Sequence, residues 1–259
     1  NVANIIKSKS AIFEPEIIGI STKGDQDKNS DLKSLNDVGF FTKEIDNSLL
    51  NGNAEIAVHC QKDVGTQRPE GLKQLAVLDK QNPRDILILN QQAITKLENE
   101  EEIIIGSSSP RRELLLPQFL KNYLPYKNPK IKLANIRGNI ETRIGKTNNK
   151  NDEDFCFDGI CLAAAGLTRY LANTQLSSEV EHILSNSKLI MLPATECPGA
   201  PGQGVLYIES KSDFEFFDDL KNILNDPEIE KSVSVERQIL KENGGGCHQP
   251  FGVSCLQLD

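Results

Sequence analysis

The chain has 259 residues, 38% hydrophobic and 25% charged, with a formal net charge of −8. That length accommodates two or three domains and buries roughly 70–75% of the unfolded surface, so no staple is needed to hold a core. The acidic balance argues against a nucleic-acid binder, and no apolar run approaches the ~20 residues that cross a bilayer.

In chain order, a helix is expected over residues 1–10 and a strand over Glu16–Ser21, where Ile17, Ile18 and Ile20 recur. A polar stretch over residues 24–37 leads into a helix from Phe40 to Leu50, stopped by Asn51-Gly52-Asn53. Strands follow at Ala54–His59, Lys73–Leu78 and Ile86–Leu89, then a helix near 91–99 and a strand at Ile103–Ile105. Next come a helix after Pro110, a strand at Lys130–Ala134, a helix after Asn139, a strand at Phe157–Ala163 and a helix around Leu167–Ala172. The Gly- and Pro-punctuated segment Glu196–Gly204 reads as a connection between domains. Beyond it lie a strand at Val205–Glu209, helices at about 213–224 and 227–242, and a Gly-rich turn at 244–246. Strands alternating with helices argue for an α/β protein with mostly parallel sheets.

The N-terminus shows no basic segment followed by an apolar stretch, so a cytoplasmic location is expected. Among six cysteines there is no C-x-x-C pair, and the three histidines have no ligand-like spacing, so a zinc site is not expected. Arginine is scarce, yet Arg111, Arg112, Arg137, Arg143 and Arg169 fall in one middle stretch. Guanidinium forks match carboxylates and phosphates, which points to a pocket for an anionic small molecule; surface and helix-end pairing is the alternative. Residues 103–112 run from a strand through Ser107, Ser108 and Ser109 into a helix start at Pro110, with Arg111 and Arg112 in its first turn. Free amides, hydroxyls and arginines could converge there on one anion. Asn135-Ile-Arg-Gly-Asn139 repeats the arrangement, with Arg137 at the strand end and Arg143 one turn into the helix. Two such strand ends would line one cleft.

Lys62-Asp63 closes another strand. Such a pair is commonly a surface salt bridge, but in a cleft the carboxyl could donate a proton and face a developing cation. Gly244-Gly-Gly-Cys247 puts a thiol on a loop with little bulk around it, open to covalent attachment, unless the glycines merely serve a turn. Gly199–Gly204 lacks the Gly-Lys-Ser/Thr ending of a phosphate loop, and a hinge reading is preferred.

Taken in register, nine segments carry a resemblance. They are Thr22–Asp25, Phe41–Glu44, Ala57–Val64, Asn82–Asp85, Gly106–Arg112, Asn135–Asn139 with Thr142-Arg143, Leu162–Arg169, Gly202–Gly204 and Gly245–Cys247. Together they resemble the porphobilinogen deaminase (hydroxymethylbilane synthase) family over nearly the whole chain. The resemblance implies two periplasmic-binding-protein-like domains with mainly parallel sheets and a smaller α+β C-terminal domain. Domain 1 would span residues 1–80 with a return segment 192–211, domain 2 residues 84–190, and domain 3 residues 214–259 in part. It implies a dipyrromethane cofactor on a thioether to Cys247, extended by four porphobilinogen units and then released as a linear tetrapyrrole. Asp63 would assist departure of the amine. Lys62, Ser107, Ser109, Arg111, Arg112, Arg137, Asn139, Arg143, Arg169 and Gln203 would bind the acetate and propionate groups of cofactor and oligopyrrole. A monomer without nucleic-acid or membrane partners is the family expectation.

Four departures stand beside it. The chain opens at the helix that follows the family's first strand and Arg-x-Ser motif, and twelve residues follow Cys247, which implies truncation at both ends. Ser34 and Val38 stand where the family carries lysines, and residues 195–198 look inserted. A degenerate homologue without activity, or a reversible binder of a small anion, is the alternative function.

Overall fold

The computed structural model describes residues 2–26, 42–148, 156–244 and 250–255. Cys247, Ser34 and Val38 lie outside the described residues. Helices α1 (Val2–Lys9), α2 (Lys23–Gln26) and α3 (Lys43–Leu50) precede β1 (Ile56–Cys60), a single 3-10 turn at Gln61–Asp63, and β2 (Leu72–Leu78). Then come β3 (Asp85–Leu89), α4 (Gln91–Glu98), β4 (Glu102–Gly106), α5 (Pro110–Tyr123), β5 (Lys130–Ala134) and α6 (Ile140–Gly145). The chain continues with β6 (Gly159–Ala163), α7 (Ala164–Asn173), α8 (Ser178–Ser185), β7 (Lys188–Met191), β8 (Leu206–Lys211), α9 (Phe217–Leu224) and α10 (Pro227–Glu242). No described helix is long and apolar enough to cross a membrane.

Helix starts follow local chemistry. Asn90, Asn139, Ser177 and Asp226 each accept an amide of the turn they begin, at α4, α6, α8 and α10, which satisfies donors that otherwise lack partners. Pro110 and Pro227 occupy first-turn positions, where a missing N–H costs nothing.

Two sheets form. The first has the order β1-β8-β2, and the second β5-β4-β6-β3-β7. The expectation of mainly parallel sheets is corrected here. Only β4 with β5 and β4 with β6 are parallel; β8 pairs antiparallel with both β1 and β2, and β3 pairs antiparallel with both β6 and β7. Strand–helix alternation fixes direction only where a helix returns the chain to the same sheet edge. Here β8 comes back from the other sheet and inserts between β1 and β2, reversing the sense.

The strand expected over Glu16–Ser21 does not form. Ile17 and Ile18 are 74% and 57% exposed and pair with no described strand; alternation without a partner edge leaves the ladder hydrogen bonds unmade. The Phe157 start of β6 moves to Gly159, although Phe157 is buried in the core. Helix α8 and strand β7 escaped the sequence reading. β7 is short and largely exposed, so it lacks the apolar run that marks a central strand.

β3 organises the second sheet. Ile86 and Ile88 pack on one face with Ile144, Leu167, Val180 and Ile183, while Leu87 and Leu89 pack on the other with Ala93, Leu97, Leu116 and Leu120. This is the period of two of a strand buried on both faces. On the first sheet, α1 and α9 cover one side through Val2, Ile6, Phe217, Leu220 and Leu224, and α10 covers the other through Val233. Two connections, residues 79–84 and 192–205, join the sheets and run side by side, with Gln81 N donating to Gly204 O at 3.1 Å. Leu87 is fully buried at the centre of this core, so Leu87→Ala should cost about 2–5 kcal/mol through lost contacts and a residual cavity. Urea unfolding followed by circular dichroism would measure the shift in midpoint at unchanged slope.

Candidate active site

Three strand ends supply the polar groups. At the end of β1 the chain turns through Gln61-Lys62-Asp63, held by Gln61 N donating to Val205 O at 3.0 Å. Gln61 is buried, Lys62 half-buried and Asp63 exposed. Gly202, at φ +75°, packs directly on Gln61, where a Cβ would fall 2.4 Å from Cγ. Only glycine fits that approach and that φ.

The ends of β4 and β5 are stitched together. Ser107 N donates to Ala134 O at 2.9 Å; Ser108 Oγ accepts from Ile136 N at 3.1 Å, donates to Ile136 O at 2.5 Å and bonds Asn135 Oδ1. Ser107 is buried and its Oγ accepts from Ser109 N at 3.3 Å, while the Ser109 side chain caps nothing at the start of α5. Asn139 is engaged as the cap of α6, accepting from Thr142 N and Thr142 Oγ1, both at 2.8 Å.

Arg111 and Arg112, in the first turn of α5, point inward and are buried. Arg112 has all three guanidinium nitrogens engaged: Nε and Nη2 grip Asp85 at 3.1 and 2.8 Å, and Nη1 donates to Cys161 O at 2.9 Å. Arg111 Nη1 reaches Asp85 Oδ2 at 2.8 Å and donates to Pro198 O at 2.7 Å; its shielded Nε has no partner among the described residues. Gln203 Nε2 donates to Asp85 Oδ1 at 2.8 Å and to Pro83 O at 2.7 Å, leaving Oε1 without a described partner. Arg169, from α7, donates through Nη2 to Gly204 O at 2.7 Å and to Asp79 Oδ2 at 3.1 Å, and its Nε has no described partner. Arg112 and Asn139, expected among the residues that bind acetate and propionate groups, are engaged with Asp85, Cys161 and Thr142, whereas Arg111, Arg169 and Gln203 each have one buried polar atom with no partner among the described residues.

Electrostatics show which groups share a neighbourhood. Burial, then Arg112 and Arg137, push the Arg143 guanidinium down to about 10, with Asp63 acting in the opposite sense. Arg143 Nε donates to Gly138 O at 2.7 Å. Desolvation and then Asp63 push the Cys60 thiol up, against Lys62 and Arg169. Asp63, just after β1, thus acts on Arg143 of α6, and shares the surroundings of Cys60 with Lys62 and Arg169. Burial is the larger cause of that depression and the neighbouring Arg112 and Arg137 add to it, so carboxylates beside Arg143 would be favoured. The described residues accordingly fit a polycarboxylate ligand.

Sequence reading quoted Asp85 within a motif but gave it no role. The signal was a carboxylate opening the apolar run Ile86–Leu89, where a charge must find a partner once buried. Burial raises its pKa, but the coulombic pull of Arg112 and Arg111 and their hydrogen bonds outweigh this and hold the carboxyl well below the usual carboxylate range. Its contribution to stability is fully present above the unfolded pKa of about 3.9 and is lost as pH falls below it. Asp85→Ala should cost about 3–5 kcal/mol by leaving two buried guanidiniums uncompensated. Asp85→Asn should flatten the loss of stability between about pH 4 and 2, read from denaturant midpoints across that range.

Comparison with known proteins matches residues 1–218 to the family model described as porphobilinogen deaminase, dipyromethane cofactor binding domain. The chain is 34% identical over 254 residues to a porphobilinogen deaminase of Clostridium novyi, covering 98% of this chain and 77% of that protein. It is 35% identical over 257 residues to one from Caldicellulosiruptor saccharolyticus, covering 98% and 78%. With the family model matched over residues 1–218 and relatives 34–35% identical along 98% of its length, the chain belongs to the porphobilinogen deaminase family.

Proposed function

We propose that this protein joins porphobilinogen molecules head to tail with loss of ammonia, giving the linear tetrapyrrole hydroxymethylbilane, with Asp63 as catalytic acid and Cys247 as the anchor of the primer. The observation that carries the proposal is the match of residues 1–218 to the porphobilinogen deaminase model together with 34–35% identity to porphobilinogen deaminases over 98% of the chain. A dipyrromethane on a Cys247 thioether would supply the pyrrole carbon to which each substrate joins.

The chain's own residues divide the remaining work. Asp63 moves a proton to the departing amine, and its carboxylate then faces the positive charge left on the substrate. Lys62, Arg137, Arg143 and Arg169 hold acetate and propionate groups, each carboxylate exchanging water for a charge-assisted hydrogen bond. Arg111, Ser109 and Ser107 join them from the β4 strand end, and Gln203 from the connection between the sheets. Arg112 and Asn139 act one step removed, Arg112 by fixing Asp85 and Asn139 by starting α6 beneath Arg143.

The domain reading belongs to the same proposal: residues 1–80 with 192–211, residues 84–190, and residues 214–259, the first two of periplasmic-binding-protein kind. So do a monomeric state, a cytoplasmic location and the lack of nucleic-acid or membrane partners; the formal charge of −8 supports the absence of nucleic acid.

In the full-length protein, Asp63→Ala should lower turnover of porphobilinogen by about 10²–10⁴-fold, the contribution of a positioned acid, with the fold kept because the side chain is exposed. Near-normal turnover would remove Asp63 from the chemistry. Cys247→Ser should abolish the covalent pyrrole adduct on the peptide that carries it, read by intact and peptide mass spectrometry. An adduct of unchanged mass and occupancy would exclude that anchor.

A further inference from the structure

Helix α10 carries a carboxylate that the reaction described above leaves without a role. Glu236 is 2% exposed. Its Oε2 accepts from Gly202 N at 2.7 Å and its Oε1 from Cys255 N at 2.8 Å, with Lys80 Nζ at 3.7 Å. Lys80 Nζ in turn donates to Cys255 O at 3.0 Å and to Ser232 Oγ at 2.8 Å. One carboxylate therefore holds two amides from parts of the chain 53 positions apart, and each oxygen serves one of them.

What those two amides belong to gives the arrangement its meaning. Gly202 packs on Gln61, two residues before Asp63, and Gln61 N donates to Val205 O at 3.0 Å, so the Gly202 turn is the floor under the Asp63 turn. Arg237, the next residue of α10, donates to Val64 O at 2.9 Å and to Gly65 O at 2.6 Å just beyond Asp63. On the other side, Cys255 belongs to residues 250–255, which are seated on the connection between the sheets. Val253 N donates to Gly199 O at 2.9 Å, and Ser254 Oγ accepts from Gly199 N at 3.0 Å. Gly252 lies so close that a Cβ would fall 2.5 Å from Pro198 O and 2.9 Å from Arg111 Cδ. Cys247 is five residues upstream of Gly252.

We infer that Glu236 is a positioning residue that, by holding the amides of Gly202 and Cys255 together, sets residues 250–255, which follow Cys247 in sequence, relative to the Asp63 turn. The inference rests on the proposed roles of Asp63 and Cys247. A catalytic acid whose turn is held through such a link is sensitive to small displacements, since ~1 Å of misplacement costs up to 10²-fold in rate. Glutamine at 236 would keep the shape but present an N–H to one of the two amides, opening one side of the link.

The test uses the full-length protein with Glu236→Gln and Glu236→Asp, comparing amide hydrogen exchange by mass spectrometry with steady-state turnover per cofactor-loaded molecule. In Glu236→Gln, exchange in peptides covering Gly202 and Cys255 should quicken about tenfold while the rest of α10 stays protected. The kcat should fall about tenfold with KM within about twofold, the signature of lost alignment rather than lost binding. Glu236→Asp, which keeps the charge, should recover part of both. Unchanged exchange at the two amides, unchanged kcat, or a uniform loss of protection across α10 and both sheets would each overturn the proposal. Wild-type protein that folds but consumes no porphobilinogen would instead remove the assigned reaction, and the exchange comparison would still read the link itself.

Discussion

Asp85 has no exposed surface, and a carboxylate so placed costs several kcal/mol unless charges and donors meet it. Arg112 meets it with two nitrogens, Arg111 with one, and Gln203 with its amide. Those partners come from the first turn of α5 and from the return connection, while Asp85 itself opens β3. Arg112 also holds the Cys161 carbonyl of β6, and Arg111 holds Pro198. One buried charge thus locks the start of β3, the start of α5, the middle of β6 and the passage back to the first sheet. Remove its match and the second sheet loses its register with the connection that carries Gly199, Gly202 and Gly204.

The site depends on that lock indirectly. With α5 pinned at its first turn, the β4 strand end lies beside the β5 strand end, and the two are joined through Ser107 and Ser108. Arg143 is depressed first by its burial and then by the charges of Arg112 and Arg137 nearby. Asp63 answers only in part, from the other sheet. A carboxylate beside these arginines would relieve that repulsion.

A second buried network lies away from the cleft and shows how similar groups can serve a different end. Arg68 bridges Asp46 at 2.5 Å and Glu209, while His59 lies 3.1 Å from Glu209. Asp46, His59 and Glu209 cluster closely enough to suggest a metal, but the Arg68 guanidinium already occupies the space between the carboxylates and supplies the positive charge. Its effect is to hold α3, β1, β8 and the loop after Asp63 together.

Much of the element list was legible in the residues: β5 at Lys130–Ala134, the Pro110 and Asn139 helix starts, the Leu224 and Glu242 helix ends, and the apolar run of β3. Capping and turn chemistry act within a few residues, and period-two burial is written in alternation. The motifs that mark the family were also local, which is why Asp63 and the arginines could be singled out in advance. Strand direction was not legible, because β8 and β7 reach their places through long connections. Nor was the division of labour among like residues. Arg112 and Arg143 look alike in sequence, yet one is consumed by Asp85 and the other left in surplus. The residues alone determined the kinds of chemistry present and the elements that carry them. Which charge is buried against which, and so which arginines remain for a ligand, was decided only by tertiary packing, since pairing energies depend on distance and desolvation across segments far apart in the chain.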